Sequence, residues 1–205
     1  MPFEIEIVLQ DDVRDILCVL TTKVRVLSVL QVARTWPKAI PRLSSLETAG
    51  LLFSFTAVTH PELPMSHPVL CWTKGESLPD FGKVSYALRS RWRLPGVTTK
   101  CFIASCAAGR MFGGHGGRYP RESEETHDIH LAAVYLRFRE LEPTVAKSWI
   151  YEAQIKNERK QRRGKLPDAI VEKTRVIEFG GAYKKEKLAA FHKFCEAKGF
   201  DYEVW

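Results

Sequence analysis

Three short stretches near the beginning of the chain place apolar residues at the spacing of one helix face. The first starts at Asp11 or Asp12, either of which can cap a helix, and its apolar positions are Val13, Ile16, Leu17 and Leu20. The second follows Thr21 and Thr22 and stops before Pro37, with an apolar stripe at Val26, Val29, Leu30 and Ala33. The third contains Leu43 and Leu46 and stops at Gly50. The pattern predicts three consecutive short helices.

Two apolar runs after these helices have the composition of strands. They are LLFSFTAV at 51–58 and HPVLCW at 67–72, and a proline-rich loop joins them. Three short helices followed by a two-stranded hairpin is the order of a winged helix-turn-helix, whose third helix can enter the DNA major groove while the wing touches phosphates. Arg34, Lys38 and Arg42 lie near the third helix and are the candidate DNA contacts. The alternative is a module of this shape that binds protein, because the third helix is poor in Arg, Lys, Asn and Gln.

The segment 75–120 is predicted to join two units. SYALRSRW at 85–92 predicts a helix, and TTKCFIAS at 98–105 has the composition of a strand. FGGHGGR at 112–118 lacks the Lys-Ser/Thr of a P-loop and the spacing of a GxGxxG motif, so we expect a hinge or a tight loop and not a nucleotide site. The predicted organisation is a winged helix at 1–100, a linker to about residue 120, and a second domain at 121–205.

The second half of the chain has the predicted element order α-β-β-β-α-β. A helix at 122–143 is followed by strands KSWIYEAQIK at 147–156, LPDAIVEK at 166–173 and TRVIEFGG at 174–181. A helix at 182–199 then ends at Gly199, and FDYEVW forms the last strand. The polar loop at 157–165 has five basic residues in nine, and four of them are candidate contacts to DNA phosphates: Arg159, Lys160, Arg162 and Arg163.

This order resembles the common core of the PD-(D/E)xK, or restriction-endonuclease-like, nucleases. The resemblance implies that Asp168 and Glu178 are catalytic residues that hold Mg²⁺ or Mn²⁺, which prefer hard oxygen ligands. Glu152 on the first strand is a further catalytic candidate, with an exposed strand residue as the alternative. The family motif has a lysine two positions after the glutamate, where this chain has Gly180. Some members carry that lysine on the following helix, so we predict Lys187 in this role, with Lys184 second.

The chain also resembles the bacterial plasmid replication-relaxation family. The matching pieces are a helix opened by His127, a strand with Trp149 and Glu152, the run Pro167-Asp168-Ala169, then Glu178, and Lys187-Leu188. The resemblance implies an N-terminal winged helix and a link to plasmid DNA, without a defined reaction. His127 and His130, three positions apart, are either further residues of the same site or a surface pair on the first helix of this half.

Charge and cysteine usage narrow the classes of function. The net charge of +7 is spread over both halves, as expected for a protein that meets the phosphates of double-stranded DNA along an extended surface. Five scattered cysteines without a CxxC pair argue against a disulfide framework and a zinc ribbon, and indicate a reducing cytoplasm. No apolar run is long enough for a membrane span, and the first residues do not have the pattern of a signal peptide. The sequence leaves homodimerisation open.

Three functions fit these observations. The first is a metal-dependent DNA endonuclease or nickase of a mobile-element or plasmid system, and the Asp168/Glu178 pair favours it. The second is a catalytically inactive, nuclease-like regulator of replication or transcription that binds DNA, which the missing motif lysine favours. The third is a protein-interaction module.

Overall fold

The protein has a mixed α+β fold with two sheets. The computed structural model describes residues 9–158 and 166–205, with only the backbone of residues 157 and 158. In chain order its elements are α1 (Asp11–Thr22), β1 (Leu27–Ser28), α2 (Val29–Thr35), a 3-10 helix (Pro37–Arg42), α3 (Leu43–Thr48), β2 (Leu52–Thr59), β3 (Leu70–Trp72), α4 (Phe81–Ser90), β4 (Val97–Ala104), α5 (Cys106–Met111), α6 (Glu122–Leu141), α7 (Pro143–Ser148), β5 (Ile150–Tyr151), α8 (Glu152–Glu158), β6 (Ala169–Val171), β7 (Arg175–Glu178), α9 (Lys185–Lys198) and β8 (Asp201–Val204).

The first helix has the predicted apolar face, whereas the second begins later than predicted. All four apolar positions assigned to α1 are buried, although the residue before the helix is Gln10 and its side chain makes no capping hydrogen bond. Helix α2 starts after Ser28, which forms a capping box with Gln31. The predicted stripe is wrong, because Leu30 is 72% exposed and residues 27–28 are extended in β1. The third helix ends near Gly50, which has φ +67°.

The predicted hairpin between residues 51–58 and 67–72 is wrong. Strand β2 instead pairs antiparallel with β4, from Leu52 opposite Ala104 to Thr59 opposite Val97. The first sheet therefore has the strand order β1-β4-β2. Strand β3 pairs antiparallel with β8, where Leu70 lies opposite Val204. Two adjacent apolar runs thus belong to different sheets, because each finds its partner far along the chain.

The second sheet contains the strands that surround the predicted site. Its order is β3-β8-β7-β6-β5, with β7 and β8 parallel and the other pairs antiparallel. The predicted long strand at 147–156 is wrong. Only Ile150 and Tyr151 are extended, and Glu152 is the first residue of α8. The sequence EAQIKNE consists mainly of good helix formers, and Glu152 Oε1 accepts a hydrogen bond from Lys156 Nζ one turn later at 2.6 Å.

The hydrophobic core runs through both halves of the chain. One cluster of buried side chains contains Leu17 of α1 and Phe102 of β4 together with Trp149 and Phe179 from the second half. Strand β3 and helix α4 belong to the range predicted for the first domain, yet β3 pairs in the second sheet and α4 packs on α9. The division at residues 100–120 stays a prediction, and the packing does not follow it at β3 and α4.

The glycine-rich run at 112–118 is a tight loop packed against α1 and β4. The amide of His115 donates to the carbonyl oxygen of Thr21 at 2.8 Å, and the amide of Gly117 donates to the carbonyl oxygen of Ala104 at 2.7 Å. A Cβ at Gly116 would lie 2.1 Å from the carbonyl oxygen of Ser105, so only glycine fits there. The loop is therefore held in one position by its backbone.

Candidate functional site

Asp168 and Glu178 lie opposite each other at one end of the antiparallel pair β6/β7. Ala169 opposite Ile177 is the last pair of the register, so Asp168, directly before β6, and Glu178, the last residue of β7, are neighbours at this end of the pair. The Tyr183 hydroxyl donates to Glu178 Oε1 at 2.7 Å. Burial, followed by the nearby charges of Glu178 and Asp168, raises the pKa of Tyr183 far above its ordinary value. The two predicted carboxylates therefore lie at the same end of the β6/β7 pair, and the Tyr183 hydroxyl donates to Glu178.

The Asp168 carboxylate is held by two donors. Its Oδ2 accepts a hydrogen bond from the Phe179 amide at 2.8 Å and lies 3.0 Å from His127 Nε2. The other ring nitrogen of His127, Nδ1, lies 3.4 Å from Asp128 Oδ1. Burial alone would lower the pKa of His127, but the carboxylates of Asp168 and Asp128 outweigh it and raise the pKa to about 10. At neutral pH His127 is therefore a cation that donates from both nitrogens.

Arg25 completes a chain of charged groups that ends at Asp168. Its Nε and Nη2 both lie 2.6 Å from Asp128 Oδ2, and its Nη1 lies 3.0 Å from Glu124 Oε2. Burial would raise the pKa of Asp128, but hydrogen bonds from His127 and Arg25 hold that pKa below its usual range. Sequence reasoning missed Arg25 and Asp128, and the only available signal was the position of Asp128 beside His127.

A cavity of about 570 Å³ opens in front of Asp168. Its walls come from the end of α1, the glycine-rich loop, the first turns of α6, the start of α8, and the region before and within α9. The charged lining residues are four cations and four anions, apart from His127: Arg25, Arg118, Lys156 and Lys187, with Glu124, Asp128, Glu152 and Asp168. Glu178 lies behind this lining and is 1% exposed.

Of the other predicted catalytic residues, Lys187 and Glu152 lie at the edge of this cavity, and Lys184 does not. Lys187 lines it, with Nζ 3.4 Å above the centre of the Tyr183 ring. Lys184 is the exposed N-cap residue of α9 and is not part of the lining. Glu152 lines the mouth and pairs with Lys156, and its side chain is 42% exposed. Glu152 is therefore a helix residue at the entrance and not a strand residue beside the carboxylates.

His130 does not line the cavity. It is fully buried, its Nδ1 lies 2.6 Å from the Thr126 carbonyl oxygen, and its ring stacks on Phe179 at 5.1 Å. Burial lowers the pKa of His130. Of the two histidines that the sequence singled out, only His127 lies at the site.

Packing explains why the motif lysine is missing at position 180. A Cβ built on Gly180 would lie 2.8 Å from Leu88 Cδ1 of α4 and 2.8 Å from Val204 Cγ1 of β8. These are side chains of a filled core, so a lysine there would clash with both. Any cation at this site must therefore come from another element, and the cations that line the cavity are Arg25, Arg118, His127, Lys156 and Lys187.

The predicted DNA contacts of the first half lie on the surface, and two of them are already paired. Arg34 is 61% exposed and its Nη2 lies 2.9 Å from Glu62 Oε1. Arg42 Nη1 lies 3.2 Å from Asp12 Oδ2 and donates to the Lys38 carbonyl at 2.9 Å. Lys38 itself is exposed. The candidates Arg159, Lys160, Arg162 and Arg163 lie outside the described residues.

Two further observations concern the described ranges 9–158 and 166–205. No three His, Cys, Asp or Glu side chains there are grouped so that they alone could hold a metal ion. No helix within those ranges is long and apolar enough to cross a membrane. Comparisons of the chain with protein-family models, with curated proteins and with solved structures found no match in any of the three.

Proposed function

We propose that this protein binds DNA and hydrolyses phosphodiester bonds with a divalent metal ion, as an endonuclease or nickase of a plasmid or another mobile element. The observation that carries the proposal is the proximity of Asp168 and Glu178 at one end of the β6/β7 pair, next to Tyr183. The resemblance to the PD-(D/E)xK nucleases and to the plasmid replication-relaxation family supports the same function.

The donor set suits a hard divalent cation. Mg²⁺ in proteins is commonly held by one or two carboxylates together with waters and substrate phosphates. Asp168 and Glu178 would be these carboxylates, for Mg²⁺ or Mn²⁺. Counting His127, the lining has five cations and four carboxylates, a net charge of only +1, so a phosphate beside Asp168 would add negative charge that a divalent cation offsets. When bound, such an ion neutralises charge on the scissile phosphate and lowers the pKa of a water molecule.

The chain's own residues would orient the carboxylates and bind the substrate. The Phe179 amide and His127 fix Oδ2 of Asp168, and Asp128 with Arg25 fixes His127. Lys156 and Lys187, at the cavity edge, would bind oxygens of the substrate phosphate. This arrangement assigns orientation to the buried groups and phosphate binding to the exposed ones.

The element order of the first half supports a winged helix as the DNA-binding part. Helices α1, α2 and α3 precede β2, and β2 pairs with β4, with β1 on the other side of β4. In this arrangement the wing is β2/β4, and β3 and α4 are inserted between its two strands. Arg34 and Lys38 would contact phosphates, with Arg34 exchanging its partner Glu62 for DNA.

A second candidate is a DNA-binding regulator without catalysis. The observation that favours it is the filled core around Gly180, which excludes the motif lysine, together with the deep burial of Glu178. Under this function Asp168 would serve mainly as the structural partner of His127.

One experiment separates these two functions. Purified protein is incubated with supercoiled plasmid and Mg²⁺ or Mn²⁺, beside Asp168→Asn and a control, Glu140→Gln, which changes an exposed carboxylate near the far end of α6. Nicked or linear product from wild type and from Glu140→Gln, but not from Asp168→Asn, supports the nuclease. The absence of product with every protein, while plasmid binding persists, supports the regulator.

A further inference from the structure

The cavity is a pocket with walls on several sides, formed by both halves of the chain. Val24 and Arg25 come from the first half, and His127, Lys156 and Lys187 from the second. Pockets of about 300–1,000 Å³ enclose a single small molecule. At about 570 Å³ this pocket has room for one nucleotide.

The depth of the carboxylates limits which phosphates can reach them. The Asp168 side chain is 15% exposed, and Glu178, behind it, is 1% exposed. Double-stranded DNA is stiff over about 150 base pairs and carries its phosphates on its outer surface. An intact duplex would therefore contact the rim, whereas a strand that has left the duplex can carry a phosphate inward.

The chemistry of the pocket suits an unpaired strand. Arg118 and Lys156 stand at the rim with side chains 55% and 49% exposed, where a strand's backbone would pass. The aromatic residues His115, His127 and Tyr183 are part of the lining. Proteins that bind single strands combine cationic grooves with rings on which bases stack, and enzymes that act on extruded nucleotides enclose them in such pockets.

We propose that the pocket takes one unpaired nucleotide of a DNA strand, so that the protein selects DNA that is locally opened over intact duplex. For its reaction the proposal rests on the proposed function, since the nucleotide would carry the phosphate to Asp168 and Glu178. Selective binding, however, needs neither metal nor catalysis. The duplex on either side of the opened segment stays available to the winged helix.

The test compares two labelled probes in EDTA at one salt concentration: an intact duplex and the same duplex with a short central mismatch bubble. Fluorescence anisotropy should give about tenfold tighter binding of the bubble probe, because stacking is worth about 1–3 kcal/mol per base. Ala153→Phe, which fills the pocket from α8, should abolish this preference and leave affinity for the duplex unchanged. Ala87→Phe, at an exposed position of α4 outside the lining, should retain the preference.

A second measurement uses wild type alone, so that it tests the proposal even if Ala153→Phe does not fold. With 2-aminopurine at the unpaired position, binding should change the probe's fluorescence as the base enters the pocket. Equal affinities for both probes, or unchanged 2-aminopurine fluorescence, would overturn the proposal. Because EDTA removes divalent metal, an inactive protein can still show the preference. Conversely, plasmid cleavage together with equal affinity for both probes would support the proposed function and refute only the proposal about the unpaired nucleotide.

Discussion

Replacing Arg25 with methionine should destabilise the protein more than a surface ion pair could. The substitution keeps much of the aliphatic bulk but removes two 2.6 Å contacts to Asp128, whose side chain is 6% exposed. It also removes the 3.0 Å contact to Glu124. Breaking a buried pair by deleting one partner costs about 3–5 kcal/mol, because the other charge stays buried. Since the Arg25 side chain is 20% exposed, we expect about 3 kcal/mol.

Urea denaturation at pH 7 measures this loss, and thermal unfolding should show a decrease of about 6–12 °C for a protein of this size. Arg118→Met is the matched control, because Arg118 also contacts Glu124 but is 55% exposed. Its loss should cost less than about 1 kcal/mol. Asp128→Asn should be less costly in the Arg25→Met background than in wild type, because the buried charge has then lost its partner.

The difference between wild type and Arg25→Met should depend on pH. The pKa of Asp128 is lowered in the folded protein, so its contribution to stability is present above the unfolded-state pKa of about 4. That contribution is lost as the pH falls through the still lower folded-state pKa. The difference in unfolding free energy between the two proteins should therefore be largest near pH 7 and should decrease in acid. A loss under about 0.5 kcal/mol at pH 7 would refute the assigned role of Arg25.

Three other outcomes are expected. Because the pKa of His127 is raised to about 10, its charge contributes fully to stability below about pH 6.5. The unfolding free energy of wild type relative to that of His127→Gln should therefore fall as the pH rises towards 10. Parallel curves of unfolding free energy against pH for the two proteins would contradict this. Lys173→Gly should stabilise the protein by about 1 kcal/mol in urea denaturation, because Lys173 has φ 65° in the β6/β7 turn, and a loss of stability would rule out backbone strain there. Gly180→Ala should cost about 1–3 kcal/mol by crowding the side chains of α4 and β8, and a neutral result in calorimetry would show that this core yields.

Local sequence patterns predicted those helices whose position depends on residues close together in the chain. Helices α6 and α9 lie where the sequence predicted helices, and Gly199, at φ 69°, ends α9 as expected. The buried face of α9 also includes His192, which is 4% exposed and hydrogen-bonded to Tyr202. Sequence spacing gives the centre of a buried face more reliably than its width.

Pairing partners distant in the chain could not be predicted in this way. The apolar run at 67–72 fits a hairpin with the preceding strand as well as it fits β8, and only the complete fold selects between them. The candidate site likewise contains residues that local motifs predict and residues that only a distant contact brings there. Asp168, Glu178 and Lys187 lie in short motifs, whereas Arg25 reaches Asp128 across 103 positions and its sequence context, KVRVL, has no distinguishing feature.

The pairing of β3 with β8 has a consequence for how the protein folds during synthesis. Residues 70–72 leave the ribosome long before residues 201–204, and at 5–20 residues per second the interval is roughly ten seconds. During that interval β3 has no strand to pair with, and closing so long a loop slows the pairing further. Pro61, Pro64 and Pro68 lie in the connection between β2 and β3, and proline has no amide hydrogen to donate to a neighbouring chain's ladder. The proline-rich connection therefore offers few donors for pairing with another chain before β8 is synthesised.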